Sequence, residues 1–161
     1  AWVWELQSLT RARPVAGNVD VRDAFQEARQ QALTASRDPE MVKQEIRDMR
    51  TRISEQHSDG DPLKHGQGGL VDIEFVVQLG LLLNAESHPE ITEPTRIGEQ
   101  LAALQGCGWL DETQCQTLDR AYRKLSQARQ HKGLIDSDNY IDTIKLLQIA
   151  GPVCHKNLRD L

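Results

Sequence analysis

Aromatic residues are scarce in this chain, and its cysteines and histidines form no metal-binding pattern. Phenylalanine, tryptophan and tyrosine make up 4% of the 161 residues, so the aliphatic residues must supply most of the core packing. The three cysteines include no C-x-x-C pair, and the five histidines include no H-x-x-x-H pair. These absences argue against a zinc site built by the protein, and the odd cysteine count favours reduced thiols, buried or half-buried, in the cytoplasm.

An excess of basic charge is also lacking. The formal net charge is −5 and the isoelectric point is about 5.5. A general nucleic-acid binder or a protein of anionic membrane surfaces would normally be basic, so we expect neither nucleic acid nor a membrane as a partner. Charged residues make up 27% of the chain and alternate in sign, as is typical of solvated helix faces.

Strand patterns, internal repeats, a signal peptide and a membrane-spanning segment are all missing. Apolar residues recur instead at helical spacing, which predicts an all-α fold, a single bundle of about six or seven helices over residues 1–161. The chain begins at Ala1 without an initiator methionine and directly in a helical pattern. We therefore interpret it as a piece of a longer protein.

The most apolar stretch, residues 70–83, directly follows a glycine-rich loop. It is too long for a typical strand, and it contains two acids, which disfavours a membrane span. Apolar side chains would surround a helix of this sequence on almost all sides. The pattern therefore predicts a buried central helix that begins near Gly69.

The loop before this helix contains Gly66, Gly68 and Gly69, with Lys64 just ahead of them. Glycines let a backbone approach a ligand closely, and a helix start offers unpaired N–H groups to an anion. The order of residues does not match a Walker A loop. A phosphate site and a tight loop-to-helix joint are equally open interpretations.

Asp72 and Glu74 are the acids of the central helix and the candidates for a catalytic role. At about 100° per residue their side chains point to nearly opposite sides, so they do not form a dyad on one face. Glu74 shares its face with Gln78. We expect at most one of the two acids to address a site directly and the other to anchor the loop or a neighbouring helix.

A basic ridge is predicted on the helix that starts at Asp38-Pro39, where Asp38 is suited to cap the helix and proline to its first position. The ridge consists of Lys43, Arg47 and Arg50, beside an apolar stripe formed by Val42, Ile46, Met49 and Ile53. One interpretation is a solvated face paired with nearby acids. The other is that Arg47 or Arg50 binds phosphate, for which the forked guanidinium is well suited.

Four further helices have boundaries that the structure can test. A helix from Trp2 to Arg13 would use Trp2 and Trp4 as core anchors, and a helix capped by Asn18 would run to Ser36. The apolar face of that second helix would comprise Val21, Ala24, Phe25, Ala28, Ala32 and Ala35. A helix capped by Asp111 would end at Gly133, and the last would span residues 139–150 before Gly151-Pro152 interrupts it.

Three separated patches resemble one enzyme family, the glutamine synthetase adenylyltransferase/adenylyl-removing enzymes. The first patch, which resembles the family's K-x-x-x-GG-x-x-DIEF signature, is Lys64-x-Gly66-x-Gly68-Gly69-x-x-Asp72-Ile73-Glu74-Phe75. The others are Trp4-Glu5-x-Gln7-x-Leu9-x-Arg11-Ala12-Arg13 and Glu45-Ile46-Arg47-Asp48-Met49-Arg50. The Asp72-Ile73-Glu74 form is similar to the C-terminal, adenylylating half of such enzymes.

This resemblance implies a function for the whole enzyme. It would transfer AMP from ATP, with Mg²⁺, to a tyrosine of glutamine synthetase, under the influence of the PII signalling protein in the bacterial cytoplasm. The strand-borne Gly-Ser and D-x-D elements of the nucleotidyltransferase palm domain are missing from this chain. The chain would then be a helical domain, inactive alone and without a metal site, that docks in cis on the palm domain. It would line the nucleotide cleft through Lys64, Gly68, Gly69, Asp72 and Glu74, and Gly66, Arg47 and Arg50 would also be candidates for binding phosphate.

Two alternatives stay open. The chain could be a docking module that binds PII or glutamine synthetase without touching nucleotide. It could also be the corresponding helical region of a PII uridylyltransferase, which carries a similar glycine-rich loop. The Ile73-Glu74-Phe75 continuation and the Trp4-Glu5 patch favour the adenylyltransferase.

Overall fold

The computed structural model describes residues 2–57, 60–130 and 137–159. Within these ranges the chain is helical without any strand, which confirms the all-α prediction. Seven helices have at least two turns and one has a single turn. They are α1 (Val3–Leu9), α2 (Val19–Thr34), α3 (Pro39–Gln56), the single-turn α4 (Pro62–His65), α5 (Leu70–Asn84), α6 (Ile97–Gly106), α7 (Glu112–Gln130) and α8 (Ser137–Arg159), with a 3₁₀ turn at Pro89–Thr92.

Contacts between residues divide the chain into two compact units. Unit 1 comprises residues 1–46 and 77–110, and unit 2 comprises residues 47–76 and 111–161. Both α3 and α5 contribute residues to each unit. The expectation of a single helical domain stays a prediction.

The central helix α5 is buried as predicted. Ile73, Val76 and Val77 are fully enclosed, and Leu79 and Leu81 are 1% exposed. By length and composition alone, the stretch Pro62–Asn84 could cross a membrane, with a mean hydropathy of 1.3 over its best window. Because 72% of that window is buried inside the protein, a core position accounts for its apolar character.

Two start signals read from the sequence are confirmed. The backbone N–H of Glu40 donates to the carboxylate of Asp38 at 3.0 Å at the start of α3. At the start of α7, the N–H of Gln114 donates to Asp111 at 2.7 Å, and the Gln114 side chain accepts from the Asp111 N–H at 3.0 Å. The predicted end of this helix at Gly133 lies outside the described residues.

The prediction for α1 is wrong in two respects. The helix ends at Leu9 instead of Arg13, and Trp2 and Trp4 are 70% and 52% exposed instead of anchoring a core. Val3 and Leu6 are buried in their place. A seven-residue helix buries only one narrow face, and the Val3-Leu6 spacing defines that face one residue away from the predicted one.

Helix α2 starts as predicted but buries a different face. The side chain of Asn18 accepts a hydrogen bond from the Val21 N–H at 2.9 Å. The predicted apolar face is wrong, because Val21 is 63% exposed and the buried members of α2 are Arg29 and Leu33. The polar contacts of Arg29 decide the orientation of this helix.

Arg29 joins three segments of unit 1. Its guanidinium donates to the carbonyl oxygens of Leu9 at 2.7 Å, Thr10 at 2.9 Å and Thr92 at 2.6 Å. The side chain of Gln100 adds a hydrogen bond of 2.7 Å to the Thr10 carbonyl. Burial lowers the pKa of Arg29 from its ordinary value. The first helix, α2 and the 3₁₀ turn are thus held by one side chain.

The predicted interruption of the last helix at Gly151-Pro152 is wrong. Helix α8 continues through Pro152 to Arg159. A proline inside a helix removes one backbone hydrogen bond and crowds the preceding turn. Here the proline ring is exposed, whereas Ala150 and Cys154 on either side of it are buried. Packing on the other face therefore stabilises the helix across the proline.

Candidate functional site

The glycine-rich loop in unit 2 packs directly against α8. Gly68 has a φ of +77°, a conformation that side-chain-bearing residues rarely adopt. A Cβ atom at this position would lie 2.5 Å from both the Gly151 nitrogen and the Leu147 carbonyl oxygen. Gly68 is therefore required both by its backbone conformation and by the closeness of α8.

Asp72 fastens the same loop from the first turn of α5. One carboxylate oxygen accepts a hydrogen bond of 2.7 Å from the Gly68 N–H, and the other accepts from Nε of Arg50. Asp72 is 6% exposed. The protein's own carboxylate therefore uses one of the N–H groups that the sequence suggested for an external anion, and it ties the loop to α3.

The basic ridge divides into a lysine that pairs with an exposed acid of its own helix and two arginines that contact other segments. Lys43 pairs with the exposed Glu40 at 2.6 Å, as the interpretation of a solvated face requires. Arg47 donates from Nε to the Leu158 carbonyl at 3.1 Å. The side chain of Arg50 is only 15% exposed. The pairing that the solvated-face interpretation predicts is thus seen for Lys43, although its side chain is only 16% exposed, whereas Arg47 and Arg50 contact groups outside α3.

Only two of the three guanidinium nitrogens of Arg50 make hydrogen bonds. Besides the Asp72 contact, Nη2 donates to the His65 carbonyl at 3.1 Å, while Nη1 is buried without a hydrogen-bond partner. Nδ1 of His65 is likewise buried and unpartnered. Leaving such atoms unsatisfied costs about 1–3 kcal/mol each. A ligand can bond to Nη1 of Arg50 or Nδ1 of His65 only if the side chain turns toward the ligand.

A cavity of about 760 Å³ opens beside these groups, entirely within unit 2. Arginine, histidine and acidic side chains dominate its polar lining. They are Arg47, Arg50, His57, His65, His155, Glu55 and Asp72. Of the predicted loop residues, Gly66 lines the cavity, whereas Lys64, Gly68 and Gly69 are not among its lining residues.

Two histidine rings stack in the wall of the cavity. The ring centroids of His57 and His65 are 4.2 Å apart, and the planes are 19° from parallel. Burial lowers the pKa of His65, and the neighbouring charges of His57, Lys64, Arg50 and Arg129 lower it further. The His65 imidazole is therefore biased toward its neutral form.

Glu74 makes contacts different from those of Asp72. Its carboxylate accepts a hydrogen bond of 3.1 Å from the hydroxyl of Tyr122 on α7, whereas Asp72 contacts the loop and α3. The prediction that these acids form no dyad on one face is confirmed. Whether Glu74 or Asp72 acts in catalysis stays a prediction, and the described residues contain no cluster of three metal-binding side chains.

The thiols have the predicted burial. Cys115 and Cys154 are buried and Cys107 is half-buried, and all three are free. Burial raises the pKa of Cys154, the nearby charge of Asp72 raises it further, and Arg50 opposes the effect. The Cys154 thiol thus lies close to the Arg50–Asp72 pair at the base of the loop.

Sequence analysis missed the histidines of this site. His57, His65 and His155 are scattered along the chain, and no spacing rule connects them. His65 alone carried a signal, because it lies between Lys64 and Gly66 in the glycine-rich loop.

Most of the residues that line this cavity lie in a segment that matches a known protein family. Residues 40–136 match the family model described as GlnD PII-uridylyltransferase. This match covers more than half of the chain and includes α3 except its first residue and all of α4 and α5, so the chain belongs to that family.

Individual relatives are more specific than the family model. The relative from Thioalkalivibrio sulfidiphilus is 36% identical over 152 residues, which are 92% of this chain and 16% of that protein. The relative from Burkholderia mallei is 40% identical over 139 residues, 84% of this chain and 15% of that protein. The relative from Chromobacterium violaceum is 36% identical over 152 residues, 93% of this chain and 17% of that protein.

All three relatives carry the name bifunctional glutamine synthetase adenylyltransferase/adenylyl-removing enzyme. This confirms the resemblance seen in the three sequence patches. Within the family, these names favour the adenylyltransferase over the uridylyltransferase alternative. The chain spans about 16% of the length of the first of these relatives.

Proposed function

We propose that this chain is a helical domain from the adenylylating half of a bifunctional enzyme. That enzyme transfers AMP from ATP to a tyrosine of glutamine synthetase and, in its other half, removes it, in the bacterial cytoplasm. The names of the relatives and the Asp72-Ile73-Glu74 form of the signature support this proposal. A palm domain elsewhere in the enzyme supplies the carboxylates that hold Mg²⁺, and the 161 residues alone are inactive.

The observation that carries the proposal is the cavity beside Arg47 and Arg50. Nucleotidyl transfer needs groups that position and neutralise the phosphates of ATP, and arginine does so with paired hydrogen bonds. In this proposal the cavity is part of the wall of the nucleotide cleft. Lys64, Gly66, Gly68 and Gly69 shape the adjoining edge of that wall.

Asp72 has a supporting role in this arrangement. Because its two carboxylate oxygens already accept from Gly68 and Arg50, it holds the loop and the guanidinium in place. Glu74 is held by Tyr122 in a comparable way. In this proposal both acids therefore have positioning roles, and the arginines contact the phosphates.

Substitution of Arg50 in the intact enzyme tests the proposal. We expect Arg50→Ala to lower kcat/KM for ATP at least about tenfold, equivalent to about 1.4 kcal/mol of transition-state stabilisation. Arg52→Ala is the matched control, because Arg52 is an exposed arginine of the same helix and does not line the cavity. We expect that control to stay within about twofold of the native rate.

Equal rates for the two variants would contradict a role in the nucleotide cleft. Thermal unfolding of both variants separates a lost contact from a lost fold. Arg50→Lys sharpens the result, because lysine keeps the charge but not the forked donors, and we expect it to recover only part of the activity.

The alternative of a docking module is favoured by the exposed tryptophans of unit 1. Trp2 and Trp4 are 70% and 52% exposed, and tryptophan is enriched at protein interfaces. Titration of the chain with ATP–Mg²⁺, PII and glutamine synthetase distinguishes the two functions. A docking module binds one of the proteins, loses that binding in Trp2→Ala/Trp4→Ala, and ignores the nucleotide.

A further inference from the structure

Histidines are concentrated around the cavity of unit 2. The whole chain has five, and three of them line this one cavity: His57 just after α3, His65 in α4 and His155 in α8. Histidine is the side chain whose ordinary pKa places its charge change near neutral pH. Three of the side chains that line this cavity therefore belong to the residue type best suited to a charge that changes with pH.

The fixed charges of the lining residues nearly cancel. Arg47 and Arg50 are opposed by Glu55 and Asp72, so the cavity has little net charge while its histidines are neutral. Each proton that a histidine accepts adds a positive charge to the lining. The cavity thus becomes a better site for an anion as the histidines are protonated.

We propose that this cavity binds the oxyanions of a di- or triphosphate and takes up a proton at the stacked His57–His65 pair when it does so. The inference rests on the proposed function, because it concerns the same cavity. It adds that the site is complete within unit 2 and that its occupancy is linked to pH. Inorganic pyrophosphate and the triphosphate of ATP share the chemistry that the site recognises.

The direction of the linkage follows from the charges that surround His65. His57 and Arg50 act on it from the α3 segment, Lys64 from its own helix and Arg129 from α7. All four disfavour the imidazolium form, and His155 on α8 adds a further imidazole to the cavity. Glu55 and Asp72 are the acids of the lining, and Asp72 is already paired with Arg50.

A bound polyphosphate would offset this repulsion. It would favour the imidazolium form of His65, so binding is accompanied by proton uptake. The affinity then increases as the pH falls from about 8 to about 6, and by reciprocity protonation promotes binding.

Calorimetric titration of the 161-residue chain with sodium pyrophosphate tests the inference. Titrations at about pH 6 and about pH 8, in two buffers of different ionisation enthalpy, give both the affinity and the number of protons taken up. Pyrophosphate itself titrates in this range, so the deciding quantity is the difference between variants. We expect the native chain to bind about tenfold more tightly at the lower pH, relative to His57→Gln/His65→Gln.

His88→Gln is the matched control, because His88 is a partly exposed imidazole that does not line the cavity. We expect it to keep the proton uptake of the native chain, and the double variant to lose it. Proton uptake that is unchanged in the double variant would overturn the inference, as would an absence of pyrophosphate binding at about pH 6. A parallel titration with ATP shows whether the base and ribose add to the affinity.

The two proposals fail separately. If Arg50→Ala impairs AMP transfer in the intact enzyme while the isolated chain ignores pyrophosphate, the nucleotide-cleft function stands and the self-contained site is wrong. If the chain binds pyrophosphate with proton uptake while Arg50→Ala transfers AMP normally, the anion site is real and the cleft function is wrong.

Discussion

Arg29 in unit 1 and Arg50 in unit 2 are both withdrawn from solvent, yet they use their guanidinium groups differently. Each of the three guanidinium nitrogens of Arg29 donates to a backbone carbonyl, so none of them is left without a partner within the fold. Arg50 donates through Nε and Nη2 and keeps Nη1 unpartnered, beside a cavity and an equally unpartnered His65 nitrogen.

This difference distinguishes buried polar groups that serve the structure from buried polar groups that are available to a ligand. A buried group whose hydrogen bonds are all made within the protein has been used for stability. A buried group at the edge of a cavity that has a donor without a hydrogen-bond partner can still bind a ligand. Arg29 is of the first kind and Arg50 of the second, and the following experiments test that contrast.

The largest effect on stability is expected for Arg29→Ala. It removes one donor from each of three carbonyls, of which Leu9 and Thr10 keep a second partner and Thr92 keeps none among the described residues, and it empties a buried site, so we expect the free energy of unfolding to fall by about 3 kcal/mol. Urea unfolding measures the loss, and the exposed Arg22→Ala on the same helix is the control, expected within about 0.5 kcal/mol of the native value. A loss below about 1 kcal/mol would show that water replaces the guanidinium and that Arg29 contributes little more to stability than an exposed arginine.

Gly68→Ala should have the next largest effect. The added methyl group enters the backbone of α8 and forces a positive φ on alanine, so we expect a loss of about 2 kcal/mol and weaker pyrophosphate binding. Gly106→Ala is the matched control, because a Cβ at Gly106 meets no atom within 4 Å. If Gly68→Ala unfolds like the control, the loop does not depend on its contact with α8.

Tyr122→Phe removes one hydroxyl from unit 2. The lost hydrogen bond to Glu74 is expected to cost about 1 kcal/mol, measured by thermal or urea unfolding. In the intact enzyme, a fall in AMP transfer larger than this loss of stability explains would indicate that Glu74 must be held in place for function. A loss above about 2 kcal/mol would instead show that the hydroxyl supports more of the structure than this one contact.

The smallest effect is expected for Lys43→Ala. Its ion-pair partner Glu40 is 73% exposed, so water screens the pair although the Lys43 side chain is itself only 16% exposed, and we expect a change within about 0.5 kcal/mol. Lys43 does not line the cavity, so we expect no change in pyrophosphate binding. Because Lys43 and Arg50 lie on the same helix and carry the same charge, this variant shows whether net charge alone accounts for the effects of Arg50. Equal losses of binding in Lys43→Ala and Arg50→Ala would contradict a specific site.

Local signals predicted much of the helical framework. The caps at Asp38 and Asp111 and the apolar run after Gly69 each depend on a few neighbouring residues, and the structure confirms them. The inward direction of Arg29 was not predictable in the same way. An arginine on a helix normally indicates a surface position, and only three carbonyls from distant segments reverse that preference.

The candidate site was predicted only in part, because some of its residues belong to a local motif and others come from distant parts of the chain. The motif residues Arg47, Arg50 and Gly66 line the cavity, but Lys64, Gly68 and Gly69 do not. His57 and His155 join the lining from positions almost a hundred residues apart, which no periodicity in the sequence reveals. Pro152 was misjudged because the rule against proline in a helix is local, whereas the packing of Ala150 and Cys154 that overrides it is not.

The rate at which the enclosed thiol of Cys154 is alkylated measures how often α8 opens. Thiol reagents attack the thiolate, which burial disfavours, so this cysteine reacts only while α8 is lifted from its neighbours. The half-buried Cys107 in the other unit serves as an internal reference for the reagent. If pyrophosphate in the cavity holds α8 in place, it should slow the alkylation of Cys154. This measurement detects binding without an enzymatic assay.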